Sequence, residues 1–166
     1  WLHENLNHQD LVILNGTIPK VVGDSSSLKK TQIPGTRFFD IKKKFSDVSG
    51  AFPNTFPSTE QFQKESRNLG INTNSVIVVY DELGMYSSAR VWWLFKTFGH
   101  ENVAVLNGGF PAWLNAEYPT EAIKDYNGEQ GNFTANLQPN NMVFFDDVQQ
   151  ATIQKSYSII DARSSD

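Results

Sequence analysis

The sequence predicts an α/β protein with a mostly parallel central sheet and helices on both faces. Short runs of apolar and β-branched residues, typical of buried strands, alternate with longer segments of helical periodicity. Glycine and proline separate the two kinds of segment. Parallel neighbours in a sheet need a crossover connection, so strands that are separated by helices of this length indicate crossover units.

Four segments have the short apolar composition of strands, and the third is the strongest because it is rich in β-branched residues. The four are residues 11–14 (LVIL), 37–40 (RFFD), 75–80 (SVIVVY) and 103–106 (VAVL). Pro34 and Gly35 predict a turn before the second strand, since proline fixes one dihedral and glycine permits the next. The polar residues 23–30 and the proline-containing residues 42–57 are predicted to be connections.

Helices are predicted between these strands, and residues 1–6 are interpreted as the end of a further helix. The predicted helices are residues 58–68, 87–98, 111–114 and 143–155. The first begins with a capping-box pattern, in which the Ser58 hydroxyl binds the third helical amide and Gln61 reaches back. The second has a wide apolar face for packing on the sheet, and Gly99 ends it.

Composition excludes several classes of function. The 166 residues include 14 basic and 18 acidic side chains, a net charge of −4, so no basic stripe is available for nucleic acid. The longest strongly apolar run, residues 76–80, is far too short to span a membrane, and no membrane partner is expected. The sequence has no cysteine, which excludes disulfides, cysteine-ligated metals and thiolate nucleophiles. The three histidines lie at no metal-ligand spacing, and no metal or cofactor is expected.

The tail of the chain is similar to its beginning. After the polar, proline-containing residues 118–142, a helical segment leads to the apolar residues 157–160, much as residues 11–14 follow the first helical segment. We interpret this as a second copy of one domain that is cut short. The predicted organisation is a first domain over residues 1–117, a linker over 118–142 and a truncated second domain over 143–166. Because an unpaired apolar strand is unfavourable in water, this last segment is expected to dock on its own domain, to pair with another chain or to be mobile.

Several blocks of the sequence, in this order, resemble the N-terminal domain of the tandem rhodanese-type sulfurtransferases. They are residues 33–41 (IPGTRFFDI), 78–81 (VVYD), 88–93 (SARVWW), 98–100 (FGH), 103–109 (VAVLNGG) and Trp113. Residues 159–164 (IIDARS) are similar to the first strand of the family's C-terminal domain. The resemblance implies a rhodanese-like three-layer domain with a central sheet of about five strands.

The resemblance also implies transfer of sulfane sulfur from thiosulfate or 3-mercaptopyruvate to a thiol or to cyanide. In the family, a cysteine thiolate lies in a loop between a strand end and a helix N-terminus, where backbone amides and the helix dipole stabilise the anion. The matching loop here consists of Asp81, Glu82, Leu83, Gly84, Met85 and Tyr86. A carboxylate cannot form a persulfide, so no catalytic residue is expected in this chain, which is predicted to be inactive alone. The implied partners are a missing C-terminal domain with the cysteine and a small sulfur donor.

Individual residues have more than one interpretation. Gln32 stands where mercaptopyruvate-type relatives often have a histidine; it either donates a hydrogen bond to a substrate carboxylate or is a plain surface glutamine. Tyr86 either lines a pocket that faces the partner domain's cysteine or packs within its loop. Arg90 is expected to form a structural ion pair. Asp161 and Arg163 are expected to belong to the framework of the second domain.

Two further residues have structural interpretations. Asp81 is expected to cap a helix or to pack against the linker, and His100 is expected to be a capping or surface residue.

The alternative function is a free-standing, cysteine-free rhodanese-like module that binds a partner protein or an anion. We expect a cytoplasmic protein, with the periplasm as the alternative. The sequence leaves open the sulfur donor and acceptor, the oligomeric state, and whether a signal peptide was removed.

Overall fold

The computed structural model describes residues 1–18, 30–50, 52–155 and 157–160. Ten helices and strands, together with two short 3-10 helices at His3–Asn5 and Pro139–Asn141, organise this part of the chain. In chain order they are β1 (Leu11–Asn15), β2 (Thr31–Gln32), β3 (Thr36–Phe38), α1 (Thr59–Asn68), β4 (Val76–Tyr80), α2 (Ser88–Thr97), β5 (Val103–Val105), α3 (Gly109–Asn115), β6 (Glu121–Ala122) and α4 (Phe145–Gln154).

The central sheet has four parallel strands in the order β3-β1-β4-β5. At its middle, Ile13 of β1 lies between Thr36 of β3 and Val78 of β4. A separate two-stranded antiparallel sheet joins β2 to β6, with Gln32 opposite Glu121. The α/β class and the parallel sheet are therefore confirmed.

The described sheet has four strands rather than about five. Residues 157–160, predicted as a strand of a truncated second domain, form no strand, and Tyr157 and Ile160 are 78% and 86% exposed. A strand needs a neighbour for its backbone N–H and C=O groups, and no described segment offers one to these residues.

Side chains from the two faces of the sheet enter two separate apolar clusters. Successive residues of a strand point to opposite faces, so Val12 and Leu14 pack with one cluster and Ile13 with the other. The larger cluster contains Phe62 of α1 and Phe95 of α2; the smaller contains Phe110 and Trp113 of α3. Helices on both faces of the sheet make three layers, as predicted.

The capping box predicted at the start of α1 is confirmed only in part. The Ser58 hydroxyl accepts a hydrogen bond from the Gln61 backbone N–H at 3.1 Å, so Ser58 caps the helix. The Gln61 side chain does not reach back to Ser58. Its amide donates to the carbonyls of Lys44 and Ser46, both at 2.9 Å, and so ties α1 to the preceding connection.

The polar residues 118–142 lie against the domain rather than leaving it. Phe133 is only 1% exposed and packs edge to face against Phe62 and Phe95. Arg67 holds this segment in place, because its Nε donates to the Phe133 carbonyl at 2.7 Å and its own carbonyl accepts from Gly131 at 2.8 Å. The segment contributes to the core.

His100 is neither a capping nor a surface residue. It is 5% exposed, its Nε2 lies 2.9 Å from the Ser75 carbonyl oxygen, and its ring packs against Phe95 and Phe133. Burial lowers the pKa of His100, despite hydrogen bonds to the backbone of Ser75 and Asn102 that act in the opposite direction. The packing of residues 118–142 covers a side chain that would otherwise face water.

The tail beyond residue 142 contacts the domain little. The predicted helix is confirmed as α4, but its apolar side chains point outward: Phe145 is 76% exposed and Ile153 is 68% exposed. The chain is anchored just before α4, where the Asn141 carbonyl accepts a hydrogen bond from the Trp93 indole at 3.0 Å. Among the described residues, no helix is long and apolar enough to cross a membrane.

Candidate functional site

The candidate site lies at the carboxyl ends of β1 and β4, the edge where open parallel sheets commonly bind ligands. The loop of residues 81–86 follows β4, and residues 16–18 follow β1. Hydrogen bonds join residues 16–18 to this loop and to Ser87, which follows it: the Thr17 hydroxyl accepts from the Glu82 N–H at 3.0 Å, and the Ser87 hydroxyl donates to the Gly16 carbonyl at 2.7 Å and accepts from the Ile18 N–H at 3.1 Å. The two central strands of the sheet therefore position the site directly.

Asp81 lies at the centre of this loop and is completely buried. Its carboxylate accepts hydrogen bonds from three backbone amides: Leu83 at 2.8 Å, Ser87 at 3.0 Å and Ser88 at 2.9 Å. Burial raises the pKa of Asp81, but the hydrogen bonds from Ser88, Ser87 and Leu83 lower it by more, so its pKa lies below that of an ordinary aspartate. Asp81 is thus an ionised internal cap on α2, one of the two structural roles expected for it.

The turn between β5 and α3 supports the Asp81 loop from the other side. The Phe110 N–H donates to the Asp81 carbonyl at 3.0 Å. Gly109 permits this approach, since a Cβ there would lie 2.6 Å from the Asp81 carbonyl oxygen. The side chains of Leu83, Met85 and Tyr86 point outward and are 38%, 49% and 54% exposed. The Asp81 charge therefore lies inside the loop, while Leu83, Met85 and Tyr86 contribute apolar and aromatic surface on the outside.

A cavity of about 880 Å³ lies beside this loop, between the connection at residues 42–54 and the first turn of α2. Tyr86 and Arg90 line one side of it, and Lys42, Lys43 and Phe52 line the other. Tyr86 therefore lies in the wall of a cavity of this domain, and its position in a pocket that faces a partner domain stays a prediction.

The ion pair expected for Arg90 is not found within the described residues. The guanidinium donates instead to the Asn54 backbone carbonyl and lies 5.9 Å from the Trp93 ring. Its Nε is buried without a hydrogen-bond partner in this part of the chain, and burial lowers the pKa of Arg90. The connection that packs against Arg90 supplies a backbone carbonyl rather than a carboxylate. The sequence motif around Arg90 does not include this connection and therefore could not predict the partner.

Gln32 is a buried residue, which corrects the surface interpretation. Only 4% of it is exposed, and its side-chain amide donates to Glu121 at 3.0 Å and to the Thr36 carbonyl at 3.3 Å. The same Glu121 oxygen accepts the Gly35 N–H at 2.9 Å. Both amide hydrogens of Gln32 are used inside the chain, so they are not available to a substrate carboxylate. Gln32 does not line the cavity beside Tyr86.

Glu121 is a residue that the sequence interpretation missed. It lies 89 positions from Gln32 in a segment interpreted as a linker, and no local pattern connects the two. Asp161 and Arg163, expected in the framework of a second domain, and most of the predicted connection at residues 23–30 lie outside the described residues. In the part of the chain that is described, no group of three or more histidine, aspartate or glutamate side chains is placed to hold a metal.

Comparison with known protein families shows the family to which this chain belongs. Residues 1–116 match the Rhodanese-like domain family. The chain belongs to this family.

Individual relatives are sulfurtransferases about twice as long. The chain is 35% identical to thiosulfate/3-mercaptopyruvate sulfurtransferase 2 of Arabidopsis thaliana, with 99% of this chain and 54% of the relative covered. It is 32% identical to the 3-mercaptopyruvate sulfurtransferase of Mus musculus, with 99% and 58% covered. The crystal structure of a 3-mercaptopyruvate sulfotransferase from Escherichia coli superposes with a TM-score of 0.91 at 31% identity, over 99% of this chain and 64% of that one. The chain spans little more than half the length of the curated relatives it matches.

Proposed function

We propose that this chain is the N-terminal, non-catalytic half of a tandem sulfurtransferase. The whole enzyme moves sulfane sulfur from thiosulfate or 3-mercaptopyruvate to a thiol or cyanide acceptor, using a cysteine in a second rhodanese domain that follows residue 166. The names of the similar proteins and the fraction of their length that this chain covers support this proposal.

The main support for the proposal is that the ionised Asp81 carboxylate is bound by backbone amides. The loop that resembles the family's cysteine loop has its backbone amides directed at one anionic side chain, as a thiolate cradle requires. Here the anion is a carboxylate oxygen, which is hard and weakly nucleophilic toward sulfur, and the sequence has no cysteine to replace it. The loop therefore has the architecture of the reaction site without its nucleophile.

Two exposed regions supply the surface that a second domain would cover. The outer side of residues 81–86 carries the exposed Tyr86, which we assign to the wall of a substrate cleft between the domains. The outward-facing apolar side chains of α4 and residues 157–160 are assigned to the beginning of the second domain, with residues 118–142 as the connection. A second domain that covered these side chains would remove from water the largest apolar surface of the tail.

The test is to read the parent reading frame beyond the codon for Asp166 and to express both the 166-residue chain and the longer protein. Thiocyanate formed from thiosulfate and cyanide, and pyruvate formed from 3-mercaptopyruvate, measure sulfur transfer. We expect a cysteine-bearing loop in the added sequence, turnover by the longer protein and none by the 166-residue chain. Replacing the loop cysteine by serine in the longer protein is the matched control and should abolish turnover.

Two results would overturn the proposal. Turnover by the cysteine-free chain would show that the nucleophile was misassigned. A stop codon directly after Asp166 would favour the free-standing binding module, and the function would then lie in what this domain binds.

A further inference from the structure

The sequence contains three asparagine–glycine pairs, and the structure places them in different surroundings. They are Asn15–Gly16, Asn107–Gly108 and Asn127–Gly128. We propose that Asn127 is a site of spontaneous modification, at which the side-chain amide is converted to a carboxylate in the folded chain, while the other two asparagines are protected. The proposal does not depend on the proposed sulfur transfer, since it requires neither a cysteine nor a second domain.

The reaction needs only the two residues of the pair and water. The backbone nitrogen of the glycine loses its proton and attacks the side-chain carbonyl carbon of the asparagine, and a five-membered succinimide forms as ammonia leaves. Water then opens the succinimide at one of its two carbonyl groups and gives aspartate or isoaspartate, without any change of oxidation state. Glycine favours the first step because it has no Cβ to hinder the approach of its nitrogen.

The surroundings of Asn127 leave this reaction unhindered. Asn127 and Gly128 are exposed and lie outside any helix or strand. Within the described residues, no backbone N–H of residues 124–130 donates a hydrogen bond, and the Asn127 side chain has no hydrogen-bond partner. The Gly128 nitrogen is therefore open to water and base, and the backbone between the two residues can rotate without breaking a backbone hydrogen bond.

Asn15 is protected by its place in the sheet. It is the last residue of β1 and only 8% exposed, and its Oδ1 accepts a hydrogen bond from the Thr17 N–H at 3.0 Å. The Gly16 N–H donates to the Tyr80 carbonyl at 2.9 Å, so the nitrogen that would attack is held within the structure. Reaction at Asn15 therefore requires the ends of β1 and β4 to separate, which is a costly opening of the core.

Asn107 is exposed, but its backbone is fixed. Gly108 caps the start of α3 with a φ of 74°, and its carbonyl accepts the Ala112 N–H at 3.2 Å. The Gly109 N–H donates to the Leu106 carbonyl at 2.9 Å and so closes the turn around the pair. The rotation that brings the Gly108 nitrogen onto the Asn107 side chain would break these hydrogen bonds. Exposure alone thus does not make an asparagine–glycine pair reactive in this chain.

Conversion at Asn127 is expected to loosen the packing of residues 118–142 on the domain. The ring of the neighbouring Tyr126 lies under the Arg37 guanidinium, 4.3 Å from its carbon, and the Tyr126 hydroxyl donates to the Glu129 carbonyl at 2.8 Å. Isoaspartate carries the main chain through the side-chain carbon and so lengthens the backbone between Tyr126 and Glu129. We expect this longer backbone to weaken both contacts of Tyr126.

The test follows all three pairs in one sample. The 166-residue chain is incubated at neutral pH and digested, and mass spectrometry with fragmentation measures the fraction of each asparagine that has been converted. In the folded chain we expect Asn127 to be converted at least about tenfold faster than Asn15 and Asn107. In guanidinium chloride, where the fold no longer protects any pair, we expect the three rates to converge. A rate at Asn127 no higher than that at Asn15 or Asn107 in the folded chain would overturn the proposal.

Two variants separate the reaction from its effect on the fold. Asn127→Gln keeps the amide but needs a less favourable six-membered ring, so we expect conversion at this position to become much slower; an unchanged rate would contradict the succinimide route. Asn127→Asp has the charge of the product with a normal backbone. We expect the aged natural chain to unfold at a lower urea concentration than fresh Asn127→Asp, with aged Asn127→Gln as the control for other changes. Equal urea midpoints would contradict the expected weakening of the Tyr126 contacts.

Discussion

The Asp81 loop and the surroundings of Arg90 lie side by side at the start of α2, but a buried charge has different partners in the two places. The Asp81 carboxylate is fully enclosed and receives three backbone hydrogen bonds. Arg90, nine positions further along the chain, has no carboxylate partner among the described residues. The Asp81 charge is therefore enclosed within the fold, whereas the Arg90 charge lies in the wall of a cavity.

The difference shows how one internal carboxylate can hold a turn of backbone amides together. A carboxylate that occupies the anion position stabilises the same turn of backbone amides that a thiolate would need. Four measurements test this difference between Asp81 and Arg90.

The largest expected effect is on stability when the Asp81 carboxylate is removed. Asp81→Ala leaves buried amide donors of residues 83, 87 and 88 without an acceptor, so we expect a loss of about 3 kcal/mol or more in the free energy of unfolding. Urea unfolding followed by circular dichroism measures it. Asp125→Asn, which removes an exposed carboxylate, is the control and should change stability by less than about 0.5 kcal/mol. A similar small change in both variants would show that the loop does not depend on its internal anion.

The acid dependence of stability tests the charge on Asp81 directly. Its pKa is lower in the folded chain than the ordinary value of about 3.9, so the ionised form favours folding. The stabilisation is present above that ordinary value and is lost as the pH falls through the folded pKa. Urea midpoints measured between pH 7 and pH 3 should decline in the natural chain and decline less in Asp81→Asn. Parallel curves would mean that Asp81 has the same pKa folded and unfolded.

A smaller loss of stability is expected when Arg90 is replaced by a neutral residue of similar length. Arg90→Met keeps the apolar stem and removes a charge that has no described counter-ion, so we expect a change of about 1 kcal/mol in the free energy of unfolding. The same urea experiment measures it. A loss as large as that of Asp81→Ala would reveal a carboxylate partner for Arg90 and remove the contrast between the two regions.

Replacing Tyr86 is expected to have the smallest effect on stability and a separate effect on activity. More than half of Tyr86 is exposed, so Tyr86→Ala should change the free energy of unfolding by less than about 0.5 kcal/mol. In the longer protein it should raise KM for the sulfur donor, because we assign Tyr86 to the cleft. Leu83→Ala, in the same loop and also exposed, is the matched variant and should leave KM unchanged. An unchanged KM in both variants would place the cleft elsewhere.

Local patterns predicted the regular elements because each depends on residues close together in the chain. The run at residues 75–80 became β4, and the apolar periodicity of residues 87–98 became α2, each within one residue of the predicted ends. Ser58 capped α1 as its sequence predicted, since a cap involves only four consecutive residues.

Contacts between distant residues were not predictable in this way. The polar segment over residues 118–142 hides Phe133, whose burial depends on α1 and α2 lying beside it. Neither interpretation of Gln32, as a substrate donor or as a surface residue, included Glu121, because this partner is 89 positions away. The strand predicted at residues 157–160 did not form, since a strand requires a neighbour that the local sequence does not specify.

Composition and short-range periodicity were enough to establish the α/β class, the alternation of strands and helices along the chain, and the absence of a cysteine nucleophile. These features do not depend on the rest of the fold. The fold was needed to show which polar groups have partners: backbone amides bind the Asp81 carboxylate, Glu121 binds the Gln32 amide, and no described carboxylate pairs with Arg90. The reason is physical, because a hydrogen bond or an ion pair requires two groups within a few ångströms, and folding alone brings distant segments that close.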